Sequence, residues 1–417
     1  MRSATDQILA FNRGFDKPSL ARKLARMAES AFAFFRGTFH LFASDIQEGP
    51  FRDWPAPAAS GAMIGDLHTE NFGAFRGASG DIVYDINDFD ETTSAHYEYD
   101  LRRLGASLSL AAFDNGHALA QSVDSVERCL RGYLEILTKL GSAKTRRDFD
   151  ALKERKEVRA ILTDAKEKSR VDMMKELATQ DSKGRFTLKP CASFAPIEAR
   201  VRGDIEKAVP QFLKTLAQAH HADKFTLQDV AFRFAGCGSL GRQRYALLFG
   251  KGDADRETWD SLRLIEWKDS LDSSLDSRTP QASATRARQV VENTLAFQID
   301  PKRYLGYVTL EGRPMQSREI GANDARFSHN LFRDPEKFAR AARIFGEITA
   351  RAHLLSSLGE DGPRALLKQI KGVEDRWVNR GVAFALAYAH QTFDDYQEFT
   401  ARKAEVAKAW GVKTMTA

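Results

Sequence analysis

An aspartate and an asparagine stand five positions apart in Gly65-Asp66-Leu67-His68-Thr69-Glu70-Asn71, and a second acidic group, Asp85-Ile86-Asn87-Asp88-Phe89-Asp90, follows shortly after. These residue types suit phosphoryl transfer, which needs a carboxylate to orient the acceptor hydroxyl and oxygen ligands to hold magnesium against the phosphates of ATP. Asp66 and Asn71, on a loop leaving a strand, can supply the base and one metal ligand. An aspartate at the end of the next strand can supply the other. Asp-x4-Asn by itself is a common spacing, and aspartates also cap turns. Turn capping, however, does not call for so many ordered acids in so short a span.

These groups need elements to position them. Ala62-Met63-Ile64 reads as a strand ending at Gly65-Asp66, Ile82 to Ile86 as a strand running into the acidic turn, and Tyr99 to Phe113 as a helix. The order strand, Gly-Asp-x4-Asn, strand, Asp-Phe-Asp, then Tyr99-Asp100-Leu101-Arg102-Arg103-Leu104 resembles the aminoglycoside-phosphotransferase branch of the protein-kinase-like superfamily. That resemblance implies Asp66 as catalytic base, Asn71 and Asp88 as metal ligands, and Asp100 as a buried carboxylate bracing the catalytic loop. Asp85 and Asp90 are rivals for the second metal position. His68 is either a metal ligand or a positioning hydrogen-bond donor.

A second cluster, Gly236-Cys237-Gly238-Ser239-Leu240-Gly241, has the spacing of a phosphate-binding turn. A dinucleotide fold would follow it with a helix, whereas Arg244 to Phe249 reads as a strand. Strand, glycine loop, strand is the kinase arrangement, and it implies that Gly236, Gly238, Ser239 and Gly241 cover the nucleotide phosphates. Lys268, ending Leu264-Ile265-Glu266-Trp267-Lys268, would then reach the α- and β-phosphates, with Glu292 on the following helix as its ion-pair partner. Met315 to Ile320, which includes Glu319, would supply the hinge for adenine. Arg36 is a helix-end arginine or an anion contact.

The glycine cluster follows Asp66 by about 170 residues, the reverse of the usual kinase order. Phe35-Arg36-Gly37, Gly65 to Gly73, Asn87 to Glu91, Tyr97 to Leu101, Arg288 to Asn293 and Tyr388 to Tyr396 together look like the bacterial family called domain of unknown function 2252. The expected fold is α+β: a bilobal, circularly permuted kinase-like chain. Residues 1–222 form the helical, catalytic-loop-bearing lobe, onto which 324–417 pack back, and 223–323 form a smaller antiparallel β lobe. Residues 121–221 read as a helical connector.

A chain of 417 residues with 43% hydrophobic and 29% charged side chains can bury a sizeable core. Apolar runs such as Leu108 to Phe113 are too short to span a membrane, and no signal-peptide pattern opens the sequence, so a cytoplasmic protein without a membrane partner is expected. Three scattered cysteines fit neither a disulfide framework nor a zinc site. The net charge of +5 suits an anionic substrate. No nucleic-acid partner is expected, since the densest charge run, Lys139 to Lys175, mixes both signs as a solvated helix face does. The expected partners are a nucleotide and an acceptor that the residues do not specify. Competing readings are a metal-dependent phosphoesterase using Asp66, His68 and Asn71, a nucleotide-binding pseudokinase, and a nucleotidyltransferase.

Overall fold

The structure, a computed structural model, describes residues 3–55, 59–141, 156–216, 225–236, 240–251, 258–277, 279–357 and 362–412. Much of the mixed-charge run thus lies outside the described residues. The fold is α+β, with a helical body and a six-stranded sheet as its main parts.

Helix Tyr97–Asp114 is buried on every side, from Leu101 and Leu104 through Leu108 to Ala112, as an apolar run without a polar face requires. Helices Leu119–Leu140, Pro335–Ser356 and Glu374–Ala401 enclose it. Asp334 caps the second of these and Pro335 opens it, a start that satisfies the first free N–H groups. Glycines bring Leu119–Leu140 and Pro335–Ser356 into close contact. A Cβ on Gly346 would lie 1.9 Å from the Cys129 carbonyl oxygen, and one on Gly132 would lie 2.5 Å from that of Arg343.

The six-stranded sheet is antiparallel, in the order Gly306–Leu310, Arg313–Glu319, Arg263–Asp269, Arg244–Lys251, Phe225–Arg233, Phe194–Ala195. One face packs Leu247, Ile265, Trp267 and Met315 against Ile205, Val209 and Phe212 of helix Ala199–Thr215. Part of the other face lies under Met174 and the hairpin of Ala178–Gln180 with Phe186–Leu188. Residues 170–216, read above as a connector, therefore pack on the sheet. Helical periodicity marks an apolar face without saying what covers it.

Two small sheets carry the acidic segments. Ser60–Met63 pairs with Thr93–His96, and Phe72–Arg76 lies between Ile82–Ile86 and Ala325–Arg326. Phe72–Arg76 contains Gly73 and Ala74 and gives little strand signal of its own; its two neighbours hold it extended. Among the described residues, no helix is long and apolar enough to cross a membrane.

Gly346→Ala should force the two glycine-linked helices apart and cost about 1–3 kcal/mol. A lowered urea midpoint checks this, and an unchanged midpoint would contradict the close packing.

Candidate active site

Gly65 turns the chain out of strand Ser60–Met63 with φ of +102°, and a Cβ there would lie 2.3 Å from the Glu91 carbonyl oxygen, so both conformation and space call for glycine. Asp100 holds this turn from below. Its carboxylate accepts from the N–H groups of Ile64 and Gly65 at 2.7 and 2.8 Å and meets His353 Nε2 at 2.9 Å. The other ring nitrogen of His353 lies 2.9 Å from the Tyr133 hydroxyl. Neither Asp100 nor His353 is exposed to water.

Asp66 follows. Arg103, itself buried, donates from Nε to its carboxylate at 2.9 Å, donates to the Phe35 carbonyl at 2.6 Å, and lies over the Phe35 ring. Burial pushes the Asp66 carboxyl up to about 6, against the opposing charge of Arg103 and with Glu91 and Asp88 adding to the rise. The Asn71 side chain donates to the Asp66 carbonyl at 2.7 Å, which uses its amide nitrogen and leaves its oxygen as the acceptor.

The two motif regions meet. Asp66, His68, Asn71, Asp88 and Asp90 line one cavity with Gly236, and Asp88 and Asp90 continue into a second that Lys268, Gln316 and Arg318 also line. The free space is about 60 Å³ in the first and about 30 Å³ in the second. Lys268 Nζ contacts the Asp90 carboxylate, which also accepts from Gln316 at 2.6 Å. Burial pulls Lys268 down to about 7 even though Asp88 favours its charged form. Burial alone would raise Asp88; Lys268, Arg318, Arg326 and Arg244 outweigh it and hold the carboxyl well below the usual range. Glu91 ties the seam further, with Arg242 at 2.7 Å and the Ser274 N–H at 2.7 Å.

A family model described as an uncharacterized protein conserved in bacteria, DUF2252, matches residues 16–402, which include Asp66, His68, Asn71, Asp88, Asp90, Gly236 and Lys268. The chain belongs to that family. No curated protein and no solved structure matches it.

In this DUF2252 chain several residues lie elsewhere than the sequence suggests. Glu292 does not meet Lys268. Helix Arg286–Phe297 buries Ala287, Val290, Val291, Thr294 and Phe297, which leaves Glu292 outside, 56% exposed and paired with Arg288 at 2.7 Å. The position that Glu292 was expected to fill is taken by Asp90. Glu319 is three residues from Gln316, the cross-strand neighbour of Lys268, so strand alternation turns its side chain to the opposite face, and its N–H already donates to Arg303. Asp85 pairs with Arg351 of helix Pro335–Ser356 at 2.5 Å, facing the helical body, and lines neither cavity, whereas Asp88 and Asp90 line both. Arg36 ends helix Ala31–Gly37 and pairs with Glu70 at 2.5 Å while lining the first cavity.

Gly238 and Ser239 lie outside the described residues. Of the flanking glycines, Gly236 takes a contact from Arg26 on its carbonyl, and Gly241 lies so close to Phe15 that a Cβ would come within 2.2 Å of the ring. The second helix, Lys17–Met27, and the turn before it therefore touch the two ends of the glycine segment. Sequence reading missed Arg103, Glu91, Arg242 and Glu266. The alternation of Glu266 with Lys268 on one strand and the place of Glu91 directly after Asp90 were usable signals; Arg103 and Arg242 are joined to the site only by the fold.

Asp100→Ala would leave three buried donors without an acceptor and is expected to cost on the order of 3 kcal/mol. Asp100→Asn, which keeps one acceptor, should cost less. Denaturant unfolding of both variants measures the difference, and equal midpoints for all three proteins would refute the bracing role.

Proposed function

We propose that this chain is an ATP- and magnesium-dependent phosphotransferase with a circularly permuted kinase-like architecture, acting on a hydroxyl of a small molecule or protein. One observation supports it above the rest: Asp66, Asn71 and Asp88 share a cleft with Gly236 and Lys268 although the two groups are far apart in the chain.

The residues suit the implied groups. Asn71 oxygen and the ionised Asp88 carboxylate are hard donors fit for magnesium. Bound magnesium would neutralise charge gathering on the phosphates. Asp66, ionised above about 6, orients the acceptor hydroxyl and takes its proton; Arg103 fixes the direction of that carboxylate. Lys268 supplies a positive charge for the phosphates at the inner wall. For the alternative phosphoesterase reading, burial together with Arg36, Arg103 and Arg326 keeps the His68 imidazole neutral, the form that ligates a metal, while those three guanidiniums would oppose a cation beside it.

Magnesium and ATP together should raise the melting temperature. Lys268→Ala should weaken that effect, while Asp66→Ala should keep it and lower turnover about 10²–10⁴-fold. Unchanged melting at saturating ATP and magnesium would sink the assignment. Label from γ-phosphate on the acceptor, rather than AMP, separates phosphoryl from nucleotidyl transfer.

The pH profile of kcat/KM follows from two groups of the free protein. Asp66 must be ionised, so activity falls as pH drops through about 6. Lys268 must be protonated, so activity falls as pH rises through about 7. A narrow bell is expected, and a rate flat across both limbs would contradict the two roles.

A further inference from the structure

One face of the six-stranded sheet looks into the cleft, and its side chains divide into two groups. Pairing places Ala231, Ala246, Leu248 and Leu264 together on that face, where Met174, Phe186 and Leu188 cover them. Toward Lys268 the same face carries Arg233, Arg244, Glu266 and Arg318. Arg233 and Arg318 donate to the Glu266 carboxylate at 2.8 and 3.0 Å, and Arg244 Nη1 lies 3.4 Å from it.

Three guanidiniums therefore crowd one carboxylate, with Asp88 as a further counter-charge to Arg244 and Arg318. Arg244 is 2% exposed, and its Nε and Nη1 have no hydrogen bond among the described residues. Arg233 is lowered by burial first and then, against the pull of Glu266, by Arg244, Arg318 and Arg326. Buried positive charge in excess of its counter-charge is costly, and the forked donors of arginine match phosphate oxygens. A purine ring, in contrast, needs a flat apolar seat. The apolar part of this face is already filled by the chain's own Met174, Phe186 and Leu188, and the apolar side chains beside Lys268, namely Phe89, Val290, Val291 and Leu305, enclose only about 30 Å³ of free space.

We propose that the cleft recognises its phosphoryl donor by the polyphosphate chain and not by the base, with Arg233, Arg244 and Arg318 forming a phosphate-binding face continuous with Lys268. The proposal rests on the phosphotransferase reading and narrows its donor class to polyphosphates, whether carried by a nucleoside or free.

The test is calorimetric titration of the full chain with magnesium present, using tripolyphosphate, ATP, GTP and adenosine. Tripolyphosphate, ATP and GTP should bind within about tenfold of one another, and adenosine should not bind. Arg233→Gln and Arg318→Gln should weaken tripolyphosphate and ATP alike by about tenfold or more. Arg326→Gln, at an exposed position on the edge of the same charge cluster, should weaken both less and guards against misfolding of the other two. Binding of ATP with GTP and tripolyphosphate both rejected would overturn this proposal and leave the phosphotransferase reading standing. Tripolyphosphate affinity unaltered in Arg233→Gln and Arg318→Gln would overturn the placement. No binding of any phosphate compound would overturn both readings.

Discussion

Lys268 meets Asp90 where water barely reaches, and Asp88 lies near enough to share its charge. An ammonium buried alone would give up its proton, and two carboxylates buried together would take one up. Each side of the seam thus depends on the other. The same seam carries Glu91 with Arg242, Arg318 with the Asn87 carbonyl, and Arg286 with the carbonyls of Thr92 and Asp90. Ion pairs buried in this way add little net stability, because desolvation consumes most of the attraction. What they add is register: they decide which atoms of the sheet face which atoms of the acidic turn.

Register of this kind does not depend on chain order. Antiparallel strands need neighbours and short turns, and the acidic hairpin needs only the strand Ala325–Arg326 that closes its sheet. The regions near the two ends also lie together. Glu398 accepts from Ser3 and from the N–H groups of Ala4 and Thr5, and Arg402 pairs with Asp6 at 2.9 Å. Joining those regions and opening the chain elsewhere would leave every contact of the cleft in place. For the proposed kinase-like reading, the reversed order of acidic and glycine-rich segments is therefore no physical obstacle.

The sequence was informative where a residue's surroundings are local. Strands around Ile82 to Ile86 and Leu264 to Trp267 alternate or run apolar as they must, and the helix after Tyr97 needs no partner to be recognised. Asp66, Asn71 and Asp88 could be nominated because a loop, a spacing and residue types sit within one short stretch. Glu292 and Glu319 could not be judged in that way. Whether a helix shows glutamate to a neighbour depends on which side the neighbour occupies, and a strand residue changes face with a shift of one position. Arg103 and Arg242 were invisible for the same reason: each acts on a carboxylate distant in the chain.

Three aspartates of this cleft show how far environment outweighs residue type. Asp100 receives two backbone N–H groups and a histidine in full burial, so it holds the turn at Gly65 out of reach of solvent. Asp88 faces several cations, and its charge is favoured strongly enough to overcome burial; it is suited to hold a metal or a cationic partner but too weak a base to accept a proton. Asp66 has one arginine against burial and two nearby carboxylates, which leaves it near neutrality, where a group can both give and take a proton. Because burial and neighbouring charges push Asp66 and Asp88 in opposite directions, the division of labour between them in the proposed phosphotransferase follows from position in the fold and would survive a change in the nature of the proposed acceptor.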